Sequence, residues 1–167
     1  VNHHTSRNFE NLLLFKLFST SKASYRIATS SKIAKYQRKK FRTVFLIESY
    51  ENFVEIYEKI TEEIFKLDGF YLIVLVENLA EKIEKIFEMM WEIQIYNLNV
   101  IFESEKGEIL VKTFMPFSDQ TCNDTKPILI NKYEDGKFIN GIEDFFPRKM
   151  KNLHNCPVRV AIATNNE

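Results

Sequence analysis

The sequence predicts an α/β fold: a small, mainly parallel sheet with flanking helices, followed by an antiparallel hairpin and a loop-rich C-terminal segment. Short runs of β-branched and aromatic residues alternate with segments of helical periodicity, and the connections between them are short. The chain has 167 residues, of which 45% are apolar and 15 are Phe. That is enough apolar material for one domain with a buried core.

The first strand and helix begin after residue 42. Residues 43–47 form a β-branched and aromatic run that ends at Glu48. Over residues 50–65, apolar side chains then recur at steps of three and four, which predicts a helix with one apolar face. Ser49 stands directly before this helix and is the expected N-cap.

A second unit of the same kind follows. Residues 70–76 are continuously apolar, which is typical of a strand covered on both faces. Asn78 with Glu81 resembles a capping box that opens a helix over residues 79–95. A third strand is predicted at 98–102, and this strand and helix order favours parallel pairing with right-handed crossovers.

The chain after the third strand changes character. A turn at 105–107 predicts that residues 108–114 pair back as an antiparallel hairpin, and 128–130 and 142–146 are expected to form a short strand and a helical turn. We divide the chain into a basic, partly flexible segment (1–40), an α/β core (41–117), a loop-rich junction (118–156) and the first strand of a truncated downstream domain (157–167). The chain is therefore expected to be the N-terminal portion of something larger.

Charge is distributed unevenly along a chain of zero net charge. Residues 1–47 contain ten Lys and Arg against one acidic residue, and the rest contain 13 against 22. The basic segment is interpreted as a solvated arm, and no aromatic ladder or helix-turn-helix pattern supports nucleic-acid binding. No apolar run approaches the roughly 20 residues of a membrane-spanning helix, so the fragment itself is expected to be soluble.

One crevice is a candidate ligand site. Ligands of open parallel sheets bind beyond the carboxyl ends of the strands, where this chain carries Glu48, Ser49, Tyr50, Glu77 and Asn78. The structural alternative, which we favour, is that Ser49 and Asn78 cap helices and that the glutamates complement positive helix ends. The chain has only four glycines and no Gly-rich loop, so no phosphate-bearing cofactor is expected.

Catalytic and metal-binding patterns are weak. The histidines His3, His4 and His154 lack the spacing of a metal site, and no nucleophile elbow is visible. Cys122 and Cys156 are too far apart for a metal-binding Cys-x-x-Cys. We therefore expect neither an enzyme nor a metal or cofactor site.

Two blocks of sequence carry a family resemblance. The run FFPRKMKNLHNCPVRV occupies residues 145–160, and Trp91 is followed by NLNV at 97–100, TFMPF at 113–117 and Cys122. From about residue 41 onwards, the chain resembles the insect ionotropic receptors, chemosensory relatives of the ionotropic glutamate receptors. The match falls where their extracellular N-terminal region meets the first segment of the ligand-binding domain.

This resemblance implies a Rossmann-like or periplasmic-binding-protein-like lobe in a chemosensory ligand-gated cation channel subunit. Such a lobe would be non-catalytic and extracellular, with a role in assembly, trafficking or ligand modulation. Its implied partners are other receptor subunits, including a co-receptor, and a small-molecule ligand, with membrane contact only through a downstream part. The alternative is a free-standing soluble α/β module for interaction or small-molecule binding.

The extracellular setting that the resemblance implies bears on three residues. In an oxidising compartment Cys122 and Cys156, both inside the two motif blocks, are expected to form a disulfide. Asn123 begins an Asn-Asp-Thr sequon and is the expected glycosylation site.

Overall fold

The computed structural model describes residues 42–62, 69–77, 79–140 and 145–157. In these residues six strands form one mixed sheet whose spatial order follows the chain. The strands are β1 (Arg42–Ile47), β2 (Phe70–Leu75), β3 (Leu98–Glu103), β4 (Ile109–Thr113), β5 (Ile128–Glu134) and β6 (Lys137–Phe138). Two helices connect the first three strands: α1 (Tyr50–Glu62), and α2 (Ile83–Glu92) after a 3₁₀ turn at Ala80–Lys82.

The pairing pattern confirms the predicted fold class. β1 pairs parallel with β2, placing Ile47 opposite Leu75, and β2 pairs parallel with β3. The remaining pairs, β3 to β4, β4 to β5 and β5 to β6, are antiparallel. Gly107 has a φ of +78° in the turn between β3 and β4, a conformation that glycine adopts without strain.

Both helices pack on one face of the sheet, where alternate strand residues point. The helices contribute Phe53, Ile56, Ile60, Ile83, Ile86, Phe87 and Met90 to a buried cluster with Ile47, Tyr71, Ile73, Leu75, Leu98, Val100 and Phe102. Fully burying one such side chain stabilises the fold by about 1.5–3 kcal/mol. This apolar face is the main reason that the helix-period segments fold as helices here.

The ends of the helices differ in part from the sequence prediction. Ser49 caps α1 as predicted, because its Oγ accepts a hydrogen bond from the Asn52 N–H at 3.2 Å. The expected continuation of α1 to residue 65 lies outside the described residues, as does Asn78 of the capping box. The predicted helix over 79–95 is shorter: a 3₁₀ turn precedes α2, and Gln94, with a φ of 63°, follows its end.

The opposite face of the sheet is also covered. Val74, Ile101 and Val111 are buried there, with Phe138 and Phe145 packed against them. β2 is therefore buried on both faces, as its continuous apolar run predicts.

The C-terminal half contains more strand than predicted. β5 extends well past residue 130, and β6 was not predicted. Asp135 and Gly136 join these strands with φ values of 50° and 80°, a two-residue turn of the type that favours hairpins. Most of the helical turn expected near 142–146 lies outside the described residues, of which Phe145 and Phe146 form a bend. The basic segment 1–40 and the expected strand after 157 also lie outside the described residues.

Candidate functional site

The crevice predicted from the sequence lies at the carboxyl ends of β1 and β2. β1 and β2 end in register, and the Val76 N–H donates to the Ile47 carbonyl at 2.9 Å. Glu48 and Glu77 therefore follow neighbouring strands at the same edge, and both side chains are exposed. Asn78 lies outside the described residues, so the predicted set is brought together only in part.

Two members of that set have structural partners. The Ser49 hydroxyl caps α1, and hydrogen bonds from the backbone and from Ser49 lower the pKa of Glu51 in the first turn. The Tyr50 hydroxyl donates to Met89 Sδ at 3.3 Å, and Lys85 Nζ lies 5.9 Å from the centre of the Tyr50 ring. A ligand role for this edge stays a prediction.

A shallow cavity of about 480 Å³, open to solvent, lies at the opposite end of the strands, by the amino ends of β2 and β3. Its lining combines aromatic and basic side chains: Phe70, Tyr96, Phe146, Arg148, Lys149 and Lys151. Pockets that hold small molecules typically have this size, with apolar walls and a few convergent polar groups. We call this site the basic aromatic cavity.

Lys149 is the most unusual residue of the cavity. Its side chain is buried, with 5% of its surface exposed, and its Nζ donates to the carbonyls of Tyr96 at 2.7 Å and Leu98 at 3.2 Å. The same Nζ lies 4.1 Å from the centre of the Phe114 ring. Burial lowers the pKa of Lys149 to about 7, because desolvation disfavours the charged form of the side chain.

Asn99 on β3 adds to this attachment of the C-terminal segment, and Thr113 on β4 bonds one of the carbonyls that Lys149 reaches. Asn99 is fully buried and donates through Nδ2 to the Phe145 carbonyl, and its Oδ1 has no partner in the described part of the chain. Thr113 donates to the Leu98 carbonyl at 2.7 Å. Hydrogen bonds to backbone carbonyls, in addition to apolar packing, thus hold residues 145–157 against the amino end of β3.

The two motif blocks meet around this segment. Trp91 packs edge-on against Phe114 and Phe117, with ring centres 6.1 and 5.8 Å apart. A disulfide joins Cys122 to Cys156, whose Cα atoms are 5.7 Å apart. That separation is within the reach of an ordinary disulfide.

The surface near the disulfide is polar. His154 Nδ1 lies 2.6 Å from Asp119 Oδ1, which links the C-terminal segment to the loop after β4. Asn123 is exposed and has a φ of 61°, whereas Thr125 of its sequon is buried. The exposed asparagine is accessible to a glycan.

Sequence reasoning missed the basic aromatic cavity. The basic cluster between Pro147 and Pro157 and the preceding aromatic pair were visible as a loop signal. Nothing in the sequence separates the buried Lys149 from the exposed Lys151, because that difference arises only when the segment lies across the end of β3.

Two further features concern the described residues alone. No group of three or more His, Cys, Asp or Glu side chains is arranged to hold a metal ion there. Neither helix in the described ranges has the length and apolar content needed to cross a membrane.

The sheet, its helices and the cavity define a class of protein. A six-stranded mixed sheet with few helices is the architecture of a periplasmic-binding-protein-like lobe. A family model described as "Putative ionotropic receptor, ligand binding domain" matches residues 1–152. The chain therefore belongs to the ionotropic receptor ligand-binding domain family, a receptor family that is generally non-enzymatic. No curated protein and no solved structure matches the chain.

The family description corrects one expectation from the sequence. We expected these residues to form an N-terminal region ahead of a ligand-binding domain, whereas the description names residues 1–152 as a ligand-binding domain. The physical reason is that alternating strands and helices build either kind of lobe, so the pattern does not distinguish them. The boundaries that we drew at residues 40, 117 and 156 stay predictions.

Proposed function

We propose that this chain is an extracellular, ligand-binding lobe of a chemosensory ligand-gated cation channel subunit of the insect type. The observation that carries the proposal is the family match over residues 1–152, and the α/β lobe and its cavity support it. The lobe performs no chemistry in this proposal: it binds or modulates a small-molecule ligand. Its parent protein is held in the cell membrane by a downstream part and assembles with other subunits, including a co-receptor.

Three residues support the extracellular side of this proposal. Cys122 and Cys156 are bonded in the structure, and disulfides persist mainly in oxidising compartments. Asn123 of the sequon is exposed in the loop beside them. A cytosolic protein would gain no stability from such a cross-link, because its thiols are kept reduced.

The first experiment is to read the coding sequence downstream of Glu167. Three apolar spans and a pore segment are expected if the chain belongs to a channel subunit. A stop codon shortly after Glu167 would contradict the proposal and favour the alternative, a free-standing soluble α/β interaction or small-molecule-binding module.

The second experiment tests the side of the membrane on which the lobe lies. An epitope inserted in the exposed turn at Asp135 and Gly136 of the full-length subunit is expected to bind antibody on intact cells. The same epitope at the far C-terminus serves as the matched control for permeabilisation. Labelling of the Asp135 site only after permeabilisation would place the lobe inside the cell and exclude the proposal.

A further inference from the structure

We propose that the basic aromatic cavity binds a small organic anion with a flat apolar body, such as an aromatic carboxylate. This inference rests on the proposed function in one respect, namely that the domain binds a small molecule. It adds a location at the amino ends of β2 and β3, away from the predicted crevice, and a ligand class.

The charges of the cavity select an anion. Arg148 and Lys151 are exposed on its lining, and neither has a carboxylate within ion-pairing distance among the residues that the structure describes. Lys149 also belongs to the lining, but its Nζ is buried against the Tyr96 and Leu98 carbonyls, so the two exposed groups carry the attraction. Among the residues that the structure describes, no acidic side chain lines the cavity. A concave site with one sign of charge concentrates ligands of the opposite sign, and an arginine fork matches the geometry of a carboxylate.

The walls of the cavity select a flat apolar body. Phe70 and Phe146 meet edge to face with ring centres 5.1 Å apart, and both are only half-buried. Tyr96 adds a third partly exposed aromatic side chain. Exposed aromatic faces of this kind gain stacking and edge contacts when a planar ligand covers them.

One amide complements the basic groups. Asn97 lines the cavity, is partly buried, and its side chain has no hydrogen-bond partner in the described ranges. Its NH₂ group is available as a neutral donor to a carboxylate oxygen. A volume of about 480 Å³ exceeds the needs of a bare inorganic ion and fits a single small organic molecule.

The cavity is held in shape before any ligand binds. Lys149 and Asn99 attach the segment that carries Arg148 to β3, and the disulfide at Cys156 fixes the far end of that segment. A wall that is already ordered loses little conformational entropy on binding, which favours affinity for small ligands.

The experiment measures binding of benzoate, benzyl alcohol and acetate to the 167-residue chain by titration calorimetry and ligand-detected NMR. Benzoate is expected to bind with a dissociation constant of about 1 mM, which is reasonable for so few atoms. Benzyl alcohol lacks the charge and acetate lacks the ring, and each is expected to bind at least about tenfold more weakly. Equal binding of benzoate and benzyl alcohol would overturn the proposal, as would no detectable binding of benzoate.

The variants separate the cavity from general surface charge. Arg148→Gln combined with Lys151→Gln is expected to weaken benzoate binding about tenfold or more. Both side chains are exposed, so thermal unfolding of this variant should match that of the wild type. Lys126→Gln removes an exposed charge outside the cavity lining and is the control, with no expected change.

Two outcomes have separate meanings. An unchanged benzoate affinity in the double variant would refute the cavity as the anion site. Tight binding of an acidic peptide together with no binding of benzoate would make the cavity a contact for a protein partner and would also refute the small-molecule assignment. Neither outcome affects the downstream coding sequence or the antibody labelling, so the proposed function stands or falls independently.

Discussion

Replacing Lys149 by methionine should remove a pH dependence of stability from this protein. In the folded chain the pKa of Lys149 lies near 7, and in the unfolded chain it returns to the ordinary value near 10.5. Between these values the unfolded chain holds a proton that the folded chain has lost, so stability rises with pH across this window. From about pH 6.5 to about pH 9 the wild type should gain about 2.5 kcal/mol from this group, and Lys149→Met should not.

The variant is expected to fold because it leaves no carbonyl without a donor. The Tyr96 carbonyl also accepts from the Leu98 N–H at 2.8 Å, and the Leu98 carbonyl accepts from the Thr113 hydroxyl. Methionine has nearly the length of the lysine stem and carries no charge into the buried site. The substitution therefore loses only two hydrogen bonds and the contact with Phe114. Below the folded pKa this loss is offset, because methionine does not have to bury a charge.

Urea unfolding followed by tryptophan fluorescence is the assay. Trp91 is the single tryptophan and packs against Phe114, close to the substituted side chain. Lys151→Met changes an exposed neighbour and should keep the wild-type pH profile. Parallel pH profiles for the wild type and Lys149→Met would show that the buried lysine is not titrating near neutrality, and the reasoning from desolvation would be wrong.

Three further predictions concern the disulfide, the sequon and the core. Replacing both Cys122 and Cys156 by serine should lower the free energy of unfolding by about 3–4 kcal/mol, as measured in urea, whereas equal stability would mean that the cross-link does not constrain the unfolded chain. Protein secreted from eukaryotic cells should lose mass on glycosidase treatment, and Asn123→Gln should abolish this loss; an unchanged mass of the wild type would exclude the glycan. Phe87→Ala in the core should cost about 3–5 kcal/mol, whereas Val44→Ala at a partly exposed edge should cost well under half of that; similar losses would contradict the assigned burial.

The sheet core could be predicted from the sequence because burial there leaves a periodic signature. Phe53, Ile56 and Ile60 recur at helical steps because one face of α1 lies on the sheet. The run through Ile73 and Val74 is continuous because β2 is buried on both faces. These patterns involve residues that are close together in the chain, so they can be recognised in the sequence before the fold is known.

The basic aromatic cavity left no such signature. Lys149 and Lys151 are two positions apart in one basic run, and only the path of the segment over β3 buries the first and exposes the second. Asn99 likewise interrupts an apolar strand because its side chain donates to the carbonyl of Phe145, which is 46 residues later in the chain. The strand β6 was missed because its two residues are too few for a periodic pattern, although the Asp135 and Gly136 pair is a known hairpin signal.

The order of the strands also bears on how the chain assembles. Each strand of the described sheet pairs with the strand before it in sequence, so the sheet can grow by adding neighbours as they are synthesised. The segment at residues 145–157 is different, because it returns to β3 after three intervening strands and also brings Phe146 against Phe70 at the start of β2. It should therefore dock after the sheet has formed. Formation of the Cys122–Cys156 bond would then require a chain whose sheet is already built, so the presence of the bond would report that the sheet has folded.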